Sequence, residues 1–315
     1  MRRLSILRLF LSRLPVPSKR GEEMYIEAKE LANFIKDEVK ETIEKENIKP
    51  EFLIIQVGNN DASNVYVRNK LNACKYCGIE TTHALFPENV STEKLINFIK
   101  ETQNKYHAVM VQLPLPAHIN EDEVINTIVP NKDVDGLTET NIGRLWEGKD
   151  GLFPCTALGI VEYLKYMIYC STVDCPTLKT LPDSLLKSKN VCIIGRSNLV
   201  GKPASALLQR TDCTVDMCHS KTEKIRSHIK RADIVICAIG KTEYFMPEDF
   251  EDGQYIIDVG INRGKNNKLC GDVARSVANE LSDCKISPVP GGVGLLTVAM
   301  LMKNVLKVYY LNKRD

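Results

Sequence analysis

A chain of 315 residues is long enough for two modest domains with a sizeable core. Hydrophobic residues at 43% and charged residues at 26% are typical of a globular protein. The net charge of +2 is so small that we expect neither nucleic acid nor a membrane surface as a partner.

The eleven cysteines are odd in number and scattered through apparent helices and strands, which favours a reducing compartment. Cys74 and Cys77 form a C-x-x-C pair, but no second pair or histidine cluster accompanies it. We interpret them as two thiols without a metal, with a metal or redox site as the alternative, and predict no metal centre.

Residues 1–23 differ from the rest of the chain. They are rich in arginine, contain no acidic residue before Glu22, and have Leu4, Leu7 and Leu11 at helical spacing. Such a segment resembles an organelle transit peptide, which would place the protein in a mitochondrion or another organelle. The alternative is a disordered basic tail on a cytoplasmic protein.

From residue 24 onward, helical and strand patterns alternate, which predicts βαβ units and a parallel sheet. Ser63 is predicted to cap the second helix. The predicted elements are a helix over 28–47, a strand over 52–57, a helix over 63–77, a strand over 81–86, a helix over 92–103, a strand over 108–113 and a helix over 121–128.

Residues 130–154 break this rhythm, since they are polar, rich in glycine and lack a clean period. They predict a crossover between domains or a functional loop. After a helix over 157–167, residues 170–189 are interpreted as an insertion that faces away from the chemistry.

A second alternation follows and predicts a second, smaller doubly wound sheet. Its strands are predicted over 191–194, 213–218, 234–239, 255–259 and 285–288, and its helices over 203–209 and 222–230. A last helix over 296–308 is too apolar to lie free, so we expect it to pack back across the first domain.

The predicted fold is therefore α/β with two domains. Residues 24–155, completed by 293–315, are predicted to form an α/β domain with a parallel sheet. Residues 156–292 are predicted to form a Rossmann-like dinucleotide-binding domain.

The stretch over 190–203 predicts where a dinucleotide would bind. A buried strand runs into a turn bounded by Gly195 and Gly201, and a helix follows whose free N–H groups favour an anion. Arg196 and Ser197 add a cation and a hydroxyl inside the turn. The spacing is not G-x-G-x-x-G, so an ordinary strand-to-helix turn is the alternative.

The end of the next strand indicates which dinucleotide. An NAD-specific unit would place an acid there, but this chain has His219, Ser220 and Lys221. Asp216 lies mid-strand, where its carboxylate would not meet a ribose. With Arg196 opposite, a 2′-phosphate would be accepted, so the sequence favours NADP.

Several unusual residues lie at the predicted ends of strands, where ligands bind in α/β proteins. Tyr66 and Lys70 project from one helix face a turn apart, and Gln112 closes a strand. Asp133 and Asp135 lie in the crossover. Taken singly, these residues have ordinary interpretations as a solvated helix face, a strand-end amide and turn formers.

Together they resemble the methylenetetrahydrofolate dehydrogenase/methenyltetrahydrofolate cyclohydrolase family. The similarity runs in the family's order from about Met24 to the C-terminus and covers most of the chain. The segments that carry it are VGNNDASNVYVRNKLNACKYCGIE, VQLPLPAHIN, NKDVDGL, FPCTALG, GRSNLVGKP, CHSKT, ADIVICAIGK, IIDVGINR and PVPGGVG.

The resemblance implies hydride transfer from 5,10-methylenetetrahydrofolate to a nicotinamide cofactor, for which the residues above favour NADP. Hydrolysis of the methenyl product to 10-formyltetrahydrofolate would follow, in one-carbon metabolism and purine biosynthesis. It implies that Lys70 is the base of the second step, since a partly desolvated lysine beside a cation can take up a proton. Gln112 would orient and tune this lysine, Tyr66 would stack on the folate, and Asp135 would hold the pterin. Further contacts are implied for Ile261 with the nicotinamide side, and for Val111, Leu113, Pro290, Gly291, Gly292, Val293 and Gly294 with the folate.

Family members without the cyclohydrolase step lack this lysine, so Lys70 favours two activities. A monofunctional NAD-dependent dehydrogenase and a catalytically silent dinucleotide-binding protein are the alternatives. The resemblance also implies a homodimer joined through the cofactor domain. The chain departs from the family pattern at Ala157, at 137–139 and at Leu295 and Leu296, near the expected folate site.

Overall fold

The structure, a computed structural model, describes residues 24–172, 180–264 and 267–313. The predicted transit segment over 1–23 and part of the predicted insertion over 170–189 lie outside the described residues. Two parallel sheets covered by helices confirm the α/β prediction.

The bounds of most predicted elements agree with the structure to within a few residues. The helices are α1 (Lys29–Glu46), α2 (Asp61–Cys77), α3 (Thr92–Thr102), α4 (Glu121–Asn126), α5 (Glu139–Trp146), α6 (Cys155–Thr172), α7 (Gly201–Gln209), α8 (Ile225–Lys230), α9 (Val277–Glu280) and α10 (Val293–Asn312). The strands are β1 (Glu51–Val57), β2 (Glu80–Phe86), β3 (Ala108–Val111), β4 (Asn190–Ile194), β5 (Thr214–Cys218), β6 (Ile234–Cys237), β7 (Tyr255–Asp258), β8 (Asn262–Arg263), β9 (Leu269–Cys270) and β10 (Lys285–Ile286).

The first domain is built on a three-stranded parallel sheet in the order β2-β1-β3. The central strand is buried on both faces, because side chains alternate between two cores. Phe52 and Ile54 point into the core that α1 and α10 cover, whereas Leu53 and Ile55 point into the core beneath α3 and α4.

The second domain is built on a five-stranded parallel sheet in the order β10-β7-β6-β4-β5. Our expectation that this sheet is the smaller one is wrong, since it has five strands against three. The bulk of the first domain comes from helices instead. The order of strands reverses beside β4, and such a switch point leaves a crevice at the carboxyl ends of the strands.

Two long helices join the domains. α6 packs against α10 of the first domain and against α7 and β7 of the second. α10 is long and apolar enough to span a membrane by length and composition, but half of it is buried inside the protein. Its apolar character is therefore that of a core helix, and it packs on the first domain as predicted.

Two local predictions need correction. The crossover contains a helix, α5, whose buried positions Asn141 and Leu145 are one turn apart. Ser63 does not cap α2, because the helix begins at Asp61 and the Ser63 N–H donates to Oδ1 of Asn60 at 3.3 Å. A polar side chain just before the helix therefore serves as its cap.

The paired thiols are buried. Burial raises the pKa of Cys74 to about 11 and that of Cys77 to about 12, so both are protonated at neutral pH. In the described ranges, no group of three or more His, Cys, Asp or Glu side chains is placed to hold a metal ion.

Candidate active site

Lys70 and Gln112 meet between α2 and the end of β3. Lys70 is only 7% exposed, and its Nζ donates to Oε1 of Gln112 at 3.0 Å. Sδ of Met110 lies 3.7 Å from the same nitrogen. Gln112 extends β3 by one more bond, since its N–H donates to the carbonyl of Ile55 at 2.8 Å. The strand therefore delivers an amide oxygen to a buried amine.

The orientation of the Gln112 amide is fixed by a second hydrogen bond. Its Nε2 donates to the carbonyl oxygen of Leu113 at 2.7 Å. A flipped amide would place its N–H groups against the donors of Lys70 and its oxygen against another oxygen. The amide oxygen must therefore face the amine, and this hydrogen bond fixes the position of Nζ of Lys70.

The crossover places Asp135 near the same amine. Asp133 closes the turn that contains Asp135, accepting from the Thr138 N–H at 2.8 Å and from Asn141 Nδ2 at 3.0 Å. Burial raises the pKa of Asp135 above its usual value, and the positive charge of Lys70 offsets part of that rise. Asp133 is thus a turn residue, and Asp135 is the carboxyl group that faces Lys70.

Two residues for which the sequence predicts no role contact the segment that carries Asp135. The thiol of Cys155 donates to the carbonyl of Val134 at 3.4 Å and lies close enough to Asp135 to lower the pKa of that carboxyl. Asn304, on α10, donates from Nδ2 to the carbonyls of Val134 at 2.8 Å and Phe153 at 3.1 Å. The sequence could have indicated Asn304, because it is a single amide in the middle of a buried apolar helix face.

Cys155 acts as a hydrogen-bond donor here. Burial raises the pKa of its thiol well above the ordinary value, and the carboxylate of Asp135 raises it further. The sulfur therefore keeps its proton. Because the charge of Lys70 also acts on this thiol, the amine, the carboxyl and the thiol form one buried group of interacting side chains.

Tyr66 lies one turn before Lys70 on α2. Its side chain is half-buried, and burial raises the pKa of the phenol above its usual value. The ring is thus a neutral surface on the same helix face as the amine, which suits stacking against a planar heterocycle.

The other predicted folate-lining residues are spread more widely. Val111 belongs to the core, so only its main chain is available to a ligand. Pro290 is exposed, and Gly292 leads into α10. A hydrogen bond of 3.2 Å between Thr297 and Thr156 places the start of α10 beside the start of α6.

Some of the residues that depart from the family pattern are buried and others are exposed. Ala157 and Leu296 are fully buried, whereas Leu295 is 41% exposed. Two of the departures are therefore packing residues of α6 and α10.

The Gly195 turn has the shape of a phosphate cradle. The Gly195 N–H donates to the carbonyl of Cys218 at 2.9 Å, and its φ of +124° is one that only glycine adopts without strain. A Cβ at Gly201 would lie 2.0 Å from the Gly195 oxygen. Both glycines are thus required for the backbone of β4 to approach the start of α7.

The charged and polar side chains around this turn fit a phosphorylated dinucleotide. Arg196, Ser197 and Ser220 are all exposed, at the adjoining ends of β4 and β5. Ile261 is 48% exposed just beyond β7, two strands away. An open glycine turn and an exposed guanidinium are features that suit NADP, although the Lys202 N–H at the start of α7 already donates to the carbonyl of Ser197 at 3.1 Å.

Asp216 is engaged elsewhere. It lies in the middle of β5 and accepts a hydrogen bond from Arg231, and Nδ1 of His228 lies 3.2 Å from the same carboxylate oxygen. The bond from Arg231 holds the pKa of this carboxyl below its usual value. The only acid near the expected ribose position in β5 is therefore paired away from the strand end, as the sequence predicts.

Comparison with known proteins agrees with this geometry. Residues 26–135 match the catalytic domain, and residues 154–313 the NAD(P)-binding domain, of the tetrahydrofolate dehydrogenase/cyclohydrolase family model. The chain is 42% identical over 291 residues to the bifunctional protein FolD of Acetivibrio thermocellus, a match that covers 91% of this chain and 96% of that protein.

Solved structures give the same result. The bifunctional FolD of Campylobacter jejuni is similar with a TM-score of 0.80 and 36% identity, covering 91% of this chain and 98% of that one. The Trypanosoma brucei FolD complexed with NADP and an inhibitor is similar with a TM-score of 0.81 and 30% identity, covering 94% and 100%. The chain therefore belongs to the tetrahydrofolate dehydrogenase/cyclohydrolase family.

Proposed function

We propose that Lys70, Gln112, Tyr66 and Asp135 form the folate site of this enzyme. The chain is an NADP-dependent methylenetetrahydrofolate dehydrogenase and methenyltetrahydrofolate cyclohydrolase. The observation that carries the proposal is the buried Lys70 amine, hydrogen-bonded to Gln112 and close enough to Asp135 to change the pKa of that carboxyl.

In the dehydrogenase step, the protein's task is to position the substrate. Asp135 accepts hydrogen bonds from the pterin, and Tyr66 stacks on it, so that the one-carbon unit is held in one orientation. Arg196, Ser197 and Ser220 bind the 2′-phosphate of NADP, and Ile261 contacts its nicotinamide side. Bound NADP supplies the hydride acceptor.

In the cyclohydrolase step, Lys70 acts as a base. A water oxygen bonds to the methenyl carbon while the Lys70 amine takes the water's proton. The new hydroxyl then loses its proton and becomes a carbonyl while the bond from that carbon to N5 breaks. N5 receives a proton, and the formyl group stays on N10, which gives 10-formyltetrahydrofolate. Gln112 holds the amine in place, because its oxygen accepts one N–H of Lys70.

A spectrophotometric assay tests the proposal against its two alternatives. Methylenetetrahydrofolate is supplied with NADP or with NAD, and methenyltetrahydrofolate is supplied alone. A monofunctional NAD-dependent enzyme would prefer NAD and leave the methenyl substrate intact. A silent binding protein would turn over neither substrate while still binding NADP.

Replacing Arg196 with alanine is expected to raise the KM for NADP by about tenfold or more, the usual worth of a charge-assisted bond to phosphate. The KM for NAD should change little, since NAD lacks the 2′-phosphate. Initial rates at varied concentrations of each cofactor measure both values.

Asp216→Asn is the matched control for that variant. It loses an exposed pair with Arg231, which contributes little to stability. Cofactor preference should be unchanged. Equal losses for NADP and NAD in Arg196→Ala would contradict the assignment of Arg196 to the 2′-phosphate.

Three predictions extend beyond the site. The resemblance predicts a homodimer joined through the cofactor domain, which sedimentation equilibrium tests.

It also predicts domains at 24–155 with 293–315 and at 156–292, and limited proteolysis tests these boundaries. Import of a fusion of residues 1–23 into isolated mitochondria tests the transit-peptide interpretation.

A further inference from the structure

A buried carboxylate that the family resemblance did not assign organises the wall beside Ile261. Asp272 is fully buried, and its Oδ2 accepts from the N–H groups of Ile239 at 2.6 Å and Gly240 at 3.0 Å. Its Oδ1 accepts from the N–H of Lys241 at 2.8 Å and from Nδ2 of Asn262 at 2.9 Å. Four donors converge on one side chain, a number that only a carboxylate can accept.

These four donors come from the carboxyl ends of two neighbouring strands. Residues 239–241 follow β6, and Asn262 follows β7 and the exposed Ile261. The loop after β6 also adjoins the phosphate cradle, since a Cβ at Gly195 would lie 2.3 Å from the carbonyl oxygen of Ala238. Asp272 therefore links the segment that carries Ile261 to the segment behind the Gly195 turn.

A second buried carboxylate holds Asp272 in place. Asp258 accepts from the main-chain N–H groups of Asp272, Val273 and Gly260, each at 2.9 Å. Burial raises the pKa of Asp258 to about 6, and the three N–H groups limit that rise, so the side chain is ionised at neutral pH. Neither carboxylate forms an ion pair with a described Lys, Arg or His side chain.

The backbone at two glycines packs closely against the two carboxylates. A Cβ at Gly271 would lie 1.7 Å from Oδ2 of Asp258, and one at Gly260 would lie 2.2 Å from Oδ1 of Asp272. The glycines of the VGINR and CGD segments are thus explained by these buried side chains.

We propose that Asp272 is a positioning residue for the dinucleotide: its carboxylate ties residues 239–241 to Asn262, so that this loop and Ile261 are fixed before the cofactor binds. The proposal rests on the assignment of the cofactor site given above. A loop ordered in advance does not have to be ordered during binding, which strengthens affinity. Asp272 itself need not touch the cofactor.

The test uses Asp272→Asn in the full chain, with the exposed Asp283→Asn as the matched control. Asparagine keeps the size of the side chain but removes the charge and one acceptor oxygen. We expect NADP affinity, titrated by calorimetry without folate, to fall by about tenfold or more, since a charge-assisted hydrogen bond is lost. Hydrolysis of methenyltetrahydrofolate without NADP should stay within about twofold.

A cofactor-free measurement separates positioning from general damage. In Asp272→Asn without ligand, the amides of residues 239–241 should exchange with solvent faster, whereas those of β6 should not. Unchanged exchange of these amides, or unchanged NADP affinity despite faster exchange, would overturn the proposal. If wild-type protein failed to bind NADP, the proposed function would fail instead, and the exchange result would still stand.

Asn262→Ala is the second variant, in case Asp272→Asn does not fold. It removes one of the four donors and frees only the segment after Ile261. We expect a smaller loss of NADP affinity, about threefold to tenfold, with unchanged hydrolysis. NADP affinity equal to that of wild type would overturn the proposed link between Asp272 and the Ile261 segment.

Discussion

Replacing Lys70 with methionine is expected to lower the rate of methenyltetrahydrofolate hydrolysis by about two to four orders of magnitude, the usual contribution of a positioned acid–base group. Methionine has similar length and suits a site beside Met110, so the fold should persist. Hydride transfer needs no base, and the dehydrogenase rate should therefore be largely kept. The two rates are measured separately, at the absorbance of NADPH and of the methenyl substrate.

Two further variants make the Lys70 result specific. Lys75→Met removes an exposed lysine from the same helix and should leave both rates unchanged. Lys70→Arg keeps a cation that cannot give up its proton near neutral pH. Hydrolysis at the wild-type rate in Lys70→Met or in Lys70→Arg would show that the amine is not the base.

Replacing Asp135 with alanine is expected to reduce kcat/KM for methylenetetrahydrofolate by roughly 30-fold or more, the cost of removing one partner of a buried charged hydrogen bond. Both activities should fall, because both use the same folate site. NADP affinity should be unaffected. Steady-state kinetics with varied folate, and a separate titration of NADP, measure these effects.

The Asp135→Ala variant should be at least as stable as wild type, because a carboxyl group whose pKa is raised by folding destabilises the folded state at neutral pH. Folding favours the protonated form, so this carboxyl opposes folding increasingly as the pH rises from its unfolded-state pKa to its folded-state pKa, and by a constant amount at higher pH. Removing it should leave the melting temperature at pH 7 unchanged or higher. Asp150→Ala, an exposed site in the same crossover, is the control. A large drop in melting temperature with an unchanged KM for folate would contradict the substrate role.

The elements with strong periodicity could be predicted from the sequence, and α5 could not. The α1 helix has apolar residues at regular spacing over five turns, and β4 is a continuous apolar run. The eight residues of α5 provide only two turns, and Gly143 lies among them. Its helical state depends on burial of Asn141 and Leu145 against the rest of the fold, which no local pattern records.

The site was predicted in part for a related reason. Residues at strand ends, such as Gln112 and the Gly195 turn, stand out because an amide or a glycine interrupts an apolar run. Cys155, Asn304 and Asp272 act through side chains and carbonyls far away in the sequence. Asn304 and Val134 are 170 residues apart, and only the folded chain brings them together.

The position of α10 along the chain sets the order in which the domains can mature on a ribosome. Translation delivers the strands of the first domain early, but Leu301 and Val305 complete the core around Phe52. Until they emerge, that apolar surface stays open to chaperones and to other nascent chains. The domain that is synthesised first must therefore be the last to close, after the five-stranded sheet has left the exit tunnel.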